Sequence, residues 1–174
     1  KLSWNDFAIL VRANNHAEPF VRMLESFNVP YQFVAARGLL QQPEVLDVTS
    51  YLKLLDNYHE SASMYRVLAM PHLDLQRRTI MDLLQFARRK NVSLFEAAEQ
   101  ARSLDGIPPD DFCSIDRLLD LVREHTKLAS EKSVGAVVYQ FLDDFKYIDS
   151  FDRDRDAAKI QNIAKLYKMV RDFE

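Results

Sequence analysis

The amino-acid sequence predicts a mainly α-helical protein in which a small strand-helix-strand unit precedes a multi-helix bundle. The apolar run at residues 7–11 is too short for a helix and suits a strand buried on both faces. From residue 43 onwards, apolar side chains recur at helical spacing in one segment after another. The 174 residues include three glycines and six prolines, which is too few turn residues for a β-sandwich.

The predicted strand-helix-strand unit occupies residues 1–37. Arg12 ends the first strand, residues 17–27 form an amphipathic helix, and residues 31–35 form the second strand. Two strands alone bury too little surface to be stable, so we expect this unit to pack against other structure. The apolar face of its helix is predicted to contain Phe20, Met23, Leu24 and Phe27.

The predicted bundle begins at Pro43, a residue that suits the first turn of a helix. Asp74 is a candidate N-cap for a later helix that ends near Lys90, and Ser93 with Glu96 forms a capping box for the next one. The buried face of the first bundle helix is predicted to contain Val45, Val48, Leu52 and Leu55. The predicted helices span residues 43–57, 61–70, 75–90, 94–102, 111–130, 133–150 and 154–174.

Composition excludes several classes of protein. The net charge of −3 gives no global attraction to nucleic acid or to an anionic membrane, so any such contact must come from a local patch. One cysteine, Cys113, excludes a disulfide framework, fits a reducing cytoplasm and is expected to be a small buried hydrophobe. No apolar run approaches the roughly 20 residues that span a bilayer, so no membrane contact is predicted.

Motifs for catalysis and metal binding are absent from the sequence. The phosphate-binding pattern G-x-x-x-x-G-K-[ST] does not occur, and three glycines cannot build a glycine-rich phosphate cradle. The histidines stand apart without metal-ligand spacing, and His125 is predicted to be a core residue because it lies on an apolar helix face. We therefore predict no catalytic residue, no cofactor site and no metal site within this chain. The four histidines are His16, His59, His72 and His125.

The order of several short motifs resembles a known family. "AIL-x-R-x-N" at residues 8–14 is followed by an amphipathic helix, "VPYQFV", "PEVLDVTSYLKLL" and a final "IQNIAKLYKMVRDFE". This order is similar to that of the UvrD/Rep family of superfamily 1 DNA helicases, where the second RecA-like motor domain gives way to an inserted helical domain. The resemblance implies that residues 1–37 are part of that motor domain and that residues 38–174 are the inserted regulatory (2B-like) domain. We expect the chain to be a piece of a longer protein.

The resemblance also implies a function for that parent protein. The family unwinds DNA in the 3′ to 5′ direction with ATP and magnesium, so the parent is expected to be a cytoplasmic ATP-dependent helicase of DNA repair or recombination. Its expected partners are single-stranded and duplex DNA, and repair or recombination proteins. The fragment itself is expected to be inactive, because the nucleotide site would lie in sequence outside it.

Arg12 and Asn14 are the first candidate DNA-binding residues. A guanidinium and an amide at the carboxyl edge of a sheet can donate hydrogen bonds to the phosphates of a single strand. The alternative is a structural arginine that pairs with an acid such as Asp6 or Glu18. The resemblance favours the DNA interpretation.

Two acids match the family pattern "E-[IV]-x-D" at the entry to the inserted domain: Glu44 and Asp47. Acids in a first helical turn are also favoured by the helix dipole, and we give this simpler interpretation the larger weight.

The second candidate DNA-binding segment spans residues 77–90. It contains five basic side chains and one acid, Asp82, in an otherwise acidic chain. The family carries a glycine-containing hairpin here that grips duplex DNA, whereas this chain reads "PHLDL" at residues 71–75, without glycines that would let backbone amides approach phosphates closely. A solvated helix face is the alternative interpretation of the basic residues. They are Arg77, Arg78, Arg88, Arg89 and Lys90.

A second hypothesis for the whole chain is a non-catalytic helical module that binds other proteins. The acidic balance and the missing hairpin glycines favour it.

Overall fold

Helices make up most of the computed structural model, which describes residues 3–12, 14–31, 38–152 and 155–174, without the side chains of Asn5, Asn14 and Asn15. No β-strand occurs among these residues. The predicted mainly α-helical class is therefore confirmed. The chain divides into two compact units, Lys1–Leu39 and Leu40–Glu174.

In the described residues of the first unit there is one α-helix, α1 (Glu18–Ser26), which follows the 3₁₀ turn Asn14–Ala17. Pro19 suits the start of α1 because the first backbone amides of a helix have no carbonyl partner. The chain leaves α1 through Asn28, which has a left-handed φ of 52°. The predicted apolar face is present but exposed, since α1 has no buried residue.

The predicted strand at residues 7–11 is wrong. These residues have no regular secondary structure, and the side chains of Phe7 and Leu10 are 62% and 96% exposed. A strand needs a neighbouring strand to accept and donate its ladder hydrogen bonds, and the described residues supply none. Most of the second predicted strand lies outside the described residues, and Tyr31, its first residue, has no regular structure.

The second unit is a helical bundle in which α2 contacts four other helices, α3, α6, α7 and α8. Short 3₁₀ turns at Leu39–Gln41, Pro71–Leu73 and Ala101–Ser103 connect the helices. Its helices are α2 (Pro43–Asp56), α3 (Ser61–Leu68), α4 (Arg77–Lys90), α5 (Leu94–Glu99), α6 (Pro109–Glu131), α7 (Val134–Asp144) and α8 (Ala157–Phe173).

The buried face of α2 differs from the predicted one. Val45 and Val48 are buried as predicted, but the stripe continues through Tyr51 and Leu54, while Leu52 is only half-buried. Tyr51 lies against Phe141 of α7, with ring centroids 4.6 Å apart. Because full burial of such a side chain contributes roughly 1.5–3 kcal/mol, these contacts set the orientation of α2.

Local capping explains where several helices begin and end. Ser93 accepts a hydrogen bond from the amide of Glu96, whose carboxylate accepts from Ser93, so the predicted capping box of α5 is confirmed. Asp74 is not the N-cap of α4: it has a left-handed φ of 48°, and α4 starts three residues later at Arg77. Helix α7 ends before the predicted position 150, because Lys146 also has a left-handed φ of 50°.

Candidate nucleic-acid interface

Four of the five predicted basic residues of the second unit lie on the solvent side of α4, and the fifth, Lys90, is the last residue of the helix. All five are exposed, whereas the opposite side of the helix faces the core. Arg77 and Arg88 are three turns apart and form one row, and Arg78 and Arg89 form the next row. The buried residues of α4 are Thr79, Ile80, Leu83, Phe86 and Ala87.

Few acids neutralise this basic face. Arg78 pairs with Asp82, with 3.8 Å between the guanidinium Nε and the carboxylate. The guanidinium of Arg89 lies over the ring of Phe86, 5.8 Å from its centroid. Within the part of the chain that the structure describes, the other four basic side chains of α4 form no ion pair. The face is therefore a local positive patch on an acidic chain.

A buried carboxylate holds the first turn of α4 in place. Asp111, in the first turn of α6, is 3% exposed. It accepts a hydrogen bond from the hydroxyl of Thr79 and another from the backbone N–H of Gln76, at 3.3 Å. The negative charge offsets the positive end of the helix dipole, to which Arg77 and Arg78 add further positive charge. The sequence carried no signal for this contact, because Asp111 lies 35 residues from Gln76.

The 3₁₀ turn before α4, Pro71–Leu73, is held by side chains. The imidazole of His72 stacks on the ring of Tyr147 with centroids 4.6 Å apart. Its Nε2 lies 2.7 Å from the hydroxyl of Ser150 and 3.2 Å from the carbonyl oxygen of Tyr147. The 3₁₀ turn Pro71–Leu73 is thereby fixed to the segment that follows α7.

Asp47 and Glu44 have specific partners that the sequence did not indicate. The carboxylate of Asp47 accepts hydrogen bonds from Nε of Arg66 at 2.7 Å and from the hydroxyl of Tyr147 at 2.6 Å. Glu44 is 4% exposed and accepts a 2.7 Å hydrogen bond from the side-chain amide of Asn162 in α8. These two acids thus connect the start of α2 to three other parts of the bundle.

The remaining candidate residues lie in the first unit. Arg12 is exposed and forms no ion pair with any described residue. The two acids proposed as structural partners are engaged elsewhere: Asp6 accepts hydrogen bonds from Ser3, and Glu18 pairs with Arg22 at 3.4 Å. Asn14 opens the 3₁₀ turn, and its side chain lies outside the described residues.

His125 is a core residue, as predicted. It is 2% exposed, its Nδ1 lies 2.7 Å from the hydroxyl of Tyr51, and its Nε2 lies 2.9 Å from the carboxylate of Asp144. Burial, together with the carboxylates of Asp144 and Glu124, raises the pKa of Tyr51 above its ordinary value. Burial acts to raise the pKa of Asp144, but hydrogen bonds from Gln140 and His125 outweigh it and lower that pKa. The network satisfies buried polar groups and is closed to solvent at its centre.

The structure corrects one prediction about reactive groups and supplies two further observations. Cys113 lies exposed on α6, so the predicted burial of its side chain is wrong. In the described residues, the His, Cys, Asp and Glu side chains form no group of three or more that could hold a metal ion. None of the described helices is both long enough and apolar enough to cross a membrane.

Comparisons with known proteins identify the family. The model of the UvrD-like helicase C-terminal domain matches residues 1–174. The ATP-dependent DNA helicase Rep of Buchnera aphidicola subsp. Acyrthosiphon pisum (strain APS) is 24% identical over 99% of this chain and 27% of its own length. The ATP-dependent DNA helicase PcrA of Leuconostoc citreum is 23% identical over 99% of this chain and 24% of its own length.

Rep of Escherichia coli (strain K12) is 24% identical over 79% of this chain and 20% of its own length. The chain spans about a quarter of the length of these curated relatives. The predicted resemblance to the UvrD/Rep helicases is confirmed, and the chain belongs to the UvrD-like helicase C-terminal domain family.

Proposed function

We propose that this chain is part of an ATP-dependent DNA helicase that unwinds DNA in the 3′ to 5′ direction during repair or recombination. Support comes from the family match over the whole chain and from relatives that are named as ATP-dependent DNA helicases. The unit Lys1–Leu39 would be a piece of the second motor domain, and the unit Leu40–Glu174 would be the inserted regulatory domain.

Each unit contributes one proposed DNA contact. Arg12 and Asn14 would bind the phosphates of a single strand, and the exposed guanidinium of Arg12 is available for this because no described acid pairs with it. Helix α4 would bind the backbone of a duplex. Such contacts position DNA without reading its sequence, which suits an enzyme that must move along any sequence.

ATP and magnesium would bind in other parts of the parent protein. The residues of this chain do not fit a nucleotide site, because the sequence has no phosphate-binding loop. The acidic residues in the described part of the chain also do not gather into a metal site. No catalytic step is therefore assigned to this chain.

The observation that supports the DNA contact best is the positive charge of α4 that no acid neutralises. Four of its five basic side chains form no ion pair with another described residue, so binding to phosphates would not first require internal pairs to break. Phosphate binding releases condensed counterions from DNA, and each phosphate contact therefore makes the affinity more dependent on salt.

Duplex binding by the purified chain tests this contact. We expect weak binding whose logarithm falls steeply with the logarithm of the salt concentration. Replacement of Arg77, Arg78, Arg88 and Arg89 by glutamine should weaken binding and flatten that slope by about 3–4 units. The matched control removes the same charge elsewhere, by glutamine at the exposed residues Lys127, Lys132, Lys165 and Lys168. Equal losses in both variants would show that α4 is not the duplex contact.

A further inference from the structure

Helix α4 also presents a stripe that is exposed at three positions and half-buried at Leu84, with a spacing at which helices pack together. Residues 77, 81, 84 and 88 follow one another at intervals of four, three and four, and therefore lie along one line of the helix surface. The stripe consists of an arginine at each end and Met81 and Leu84 between them. Met81 is 53% exposed although it is a large apolar residue.

Two open cavities lie beside this stripe. One, of about 540 Å³, is lined by Leu84 and Arg88 of α4 and by Tyr65 of α3. The other, of about 370 Å³, is lined by Arg77, Met81 and again Tyr65. Tyr65, itself 45% exposed, therefore belongs to both, and the two cavities form a groove between α3 and α4.

The floor of the groove is mainly apolar, and the charged side chains that line the groove are mainly positive. The floor includes the small exposed residue Ala62 and the first residue of α5, Leu94. Asp74 is the carboxylate among the lining residues, at the end where Arg77 lies. The opposite end, beside Arg88, is lined by no acid.

We propose that this groove binds an acidic amphipathic helix of a partner protein. The partner helix would carry an acid, two bulky apolar residues and a second acid at intervals of four, three and four. Its apolar residues would cover Met81, Leu84 and Tyr65, and its acids would pair with Arg77 and Arg88, about 16 Å apart along the axis of α4.

The positive charge at both ends of the stripe decides which helix can bind in the groove. A second copy of this chain would place arginine against arginine at both ends of the stripe in either orientation, which disfavours self-association. An acidic helix forms two ion pairs at the rim and buries the apolar residues that water now covers. The groove shares Arg77 and Arg88 with the proposed duplex contact, whereas Arg78 and Arg89 lie in the other row and outside the groove. The two rows therefore allow peptide binding and duplex binding to be tested separately.

The probe for the test is a fluorescein-labelled peptide of 18 residues, based on Ala and Gln, with Glu, Leu, Leu and Glu at the stated spacing. We expect saturable binding to the purified chain by fluorescence anisotropy. The variant Arg77→Glu with Arg88→Glu should weaken binding about tenfold or more, because it turns two attractive pairs into two repulsive ones. Arg78→Glu with Arg89→Glu makes the same change in net charge in the other row and should weaken binding far less.

A charge exchange provides the sharper test. A peptide with Lys in place of both Glu residues should bind the Arg77→Glu, Arg88→Glu variant better than it binds the original chain. Met81→Asp should weaken binding of both peptides. Circular dichroism and melting temperature of every variant show that the bundle is intact.

The proposal is overturned if the acidic peptide does not bind saturably, or if the two charge-reversal variants weaken it equally. It is also overturned if a single-stranded oligonucleotide of 16 thymidines loses affinity for the Arg77→Glu, Arg88→Glu variant but not for the Arg78→Glu, Arg89→Glu variant. The stripe would then be a nucleic-acid surface. Duplex binding that depends equally on both rows, together with peptide binding that depends on one, would leave the DNA proposal and the groove proposal both standing.

Discussion

The hydroxyl of Tyr147 donates a 2.6 Å hydrogen bond to the carboxylate of Asp47, a residue 100 positions earlier in the chain. Tyr147 is 2% exposed and stacks on His72, while Asp47 also accepts a hydrogen bond from Arg66. One tyrosine thus joins the start of α2 to the 3₁₀ turn Pro71–Leu73, which lies in front of the basic helix α4. These side-chain contacts hold that turn to the rest of the bundle.

Replacement of this tyrosine by phenylalanine tests how much the hydrogen bond stabilises the bundle. Tyr147→Phe keeps the ring and its stacking but removes the donor to a charged acceptor, so we expect a loss of about 1.5–3 kcal/mol in the free energy of unfolding. Urea denaturation at neutral pH measures it. The control is Tyr139→Phe, at an exposed ring of the same helix region, which should change stability by less than about 0.5 kcal/mol. Equal effects of the two changes would contradict the role given to Tyr147.

The two buried tyrosines also predict how stability changes in alkaline solution. Burial and the hydrogen bond with Asp47 raise the pKa of Tyr147, and burial with two nearby carboxylates raises that of Tyr51, from an ordinary value of 10.0. Because the folded pKa is the higher one, this contribution to stability is complete below pH 10 and is lost as the pH rises above it. We expect each tyrosine to contribute a slope of up to about 1.4 kcal/mol per pH unit above that point.

Unfolding in urea between pH 9 and 11.5 measures this slope. The difference between the original chain and the Tyr147→Phe variant isolates the tyrosine, since the lysines titrate in both. A difference that stays constant over this range would show that Tyr147 ionises as readily in the folded chain as in the unfolded one.

The parts of this fold that the sequence predicted are those set by neighbouring residues. The capping box of Ser93 and Glu96 needs only a local turn, and α5 begins as predicted. The buried face of α2 depends on distant rings instead: Val45 and Val48 fit two stripes equally well, and contacts of Tyr51 with Phe141 and His125 select the observed one. The spacing of apolar residues within α2 cannot decide between two possible buried faces that differ by one position.

The candidate sites divide in the same way. The basic residues of α4 stand out in the sequence as a local cluster of charge, and they are exposed in the structure, which agrees with both a DNA contact and a solvated helix face. Three other contacts join residues that are far apart in the sequence. Asp111 accepts a hydrogen bond from Thr79, and Asp47 and Glu44 bond to partners in other parts of the bundle. The composition of the apolar run at residues 7–11 suits a strand, but composition does not supply the neighbouring strand that a ladder requires.

Glu44 allows the helix dipole to be separated from a specific hydrogen bond. Glu44→Gln removes the charge but keeps an oxygen that can accept from Asn162, so we expect a loss of about 0.3–1 kcal/mol. Glu44→Ala also leaves the buried amide of Asn162 without this acceptor, and we expect a loss of about 1–3 kcal/mol in total. Chemical denaturation of both variants measures the difference. Equal losses would mean that the charge at the start of α2 matters and the hydrogen bond does not.

The isolated chain should not hydrolyse ATP, with or without single-stranded DNA. The reason is that its sequence contains no phosphate-binding loop and too few glycines to build one. Phosphate release measured on a preparation purified through two different columns checks this. Turnover that follows the chain through both columns would contradict the assignment of the nucleotide site to other parts of the parent protein.

The last prediction concerns Arg12 in the whole parent protein, where the proposed path of the single strand begins. Arg12→Ala removes one contact of a charged donor to a phosphate, and such hydrogen bonds contribute about 1.5–3 kcal/mol, so we expect about a tenfold or greater loss of single-strand affinity. Folding should change little, because Arg12 is exposed and no described acid pairs with it. The defect should appear as a higher DNA concentration for half-maximal ATP hydrolysis, with ATP binding in the absence of DNA unchanged. Arg22→Ala is the matched control, since it removes the same charge from an exposed arginine of the same unit. If Arg12→Ala instead lowers the melting temperature and leaves the affinity of the folded protein for single strands intact, Arg12 has a structural role and does not lie on the DNA path.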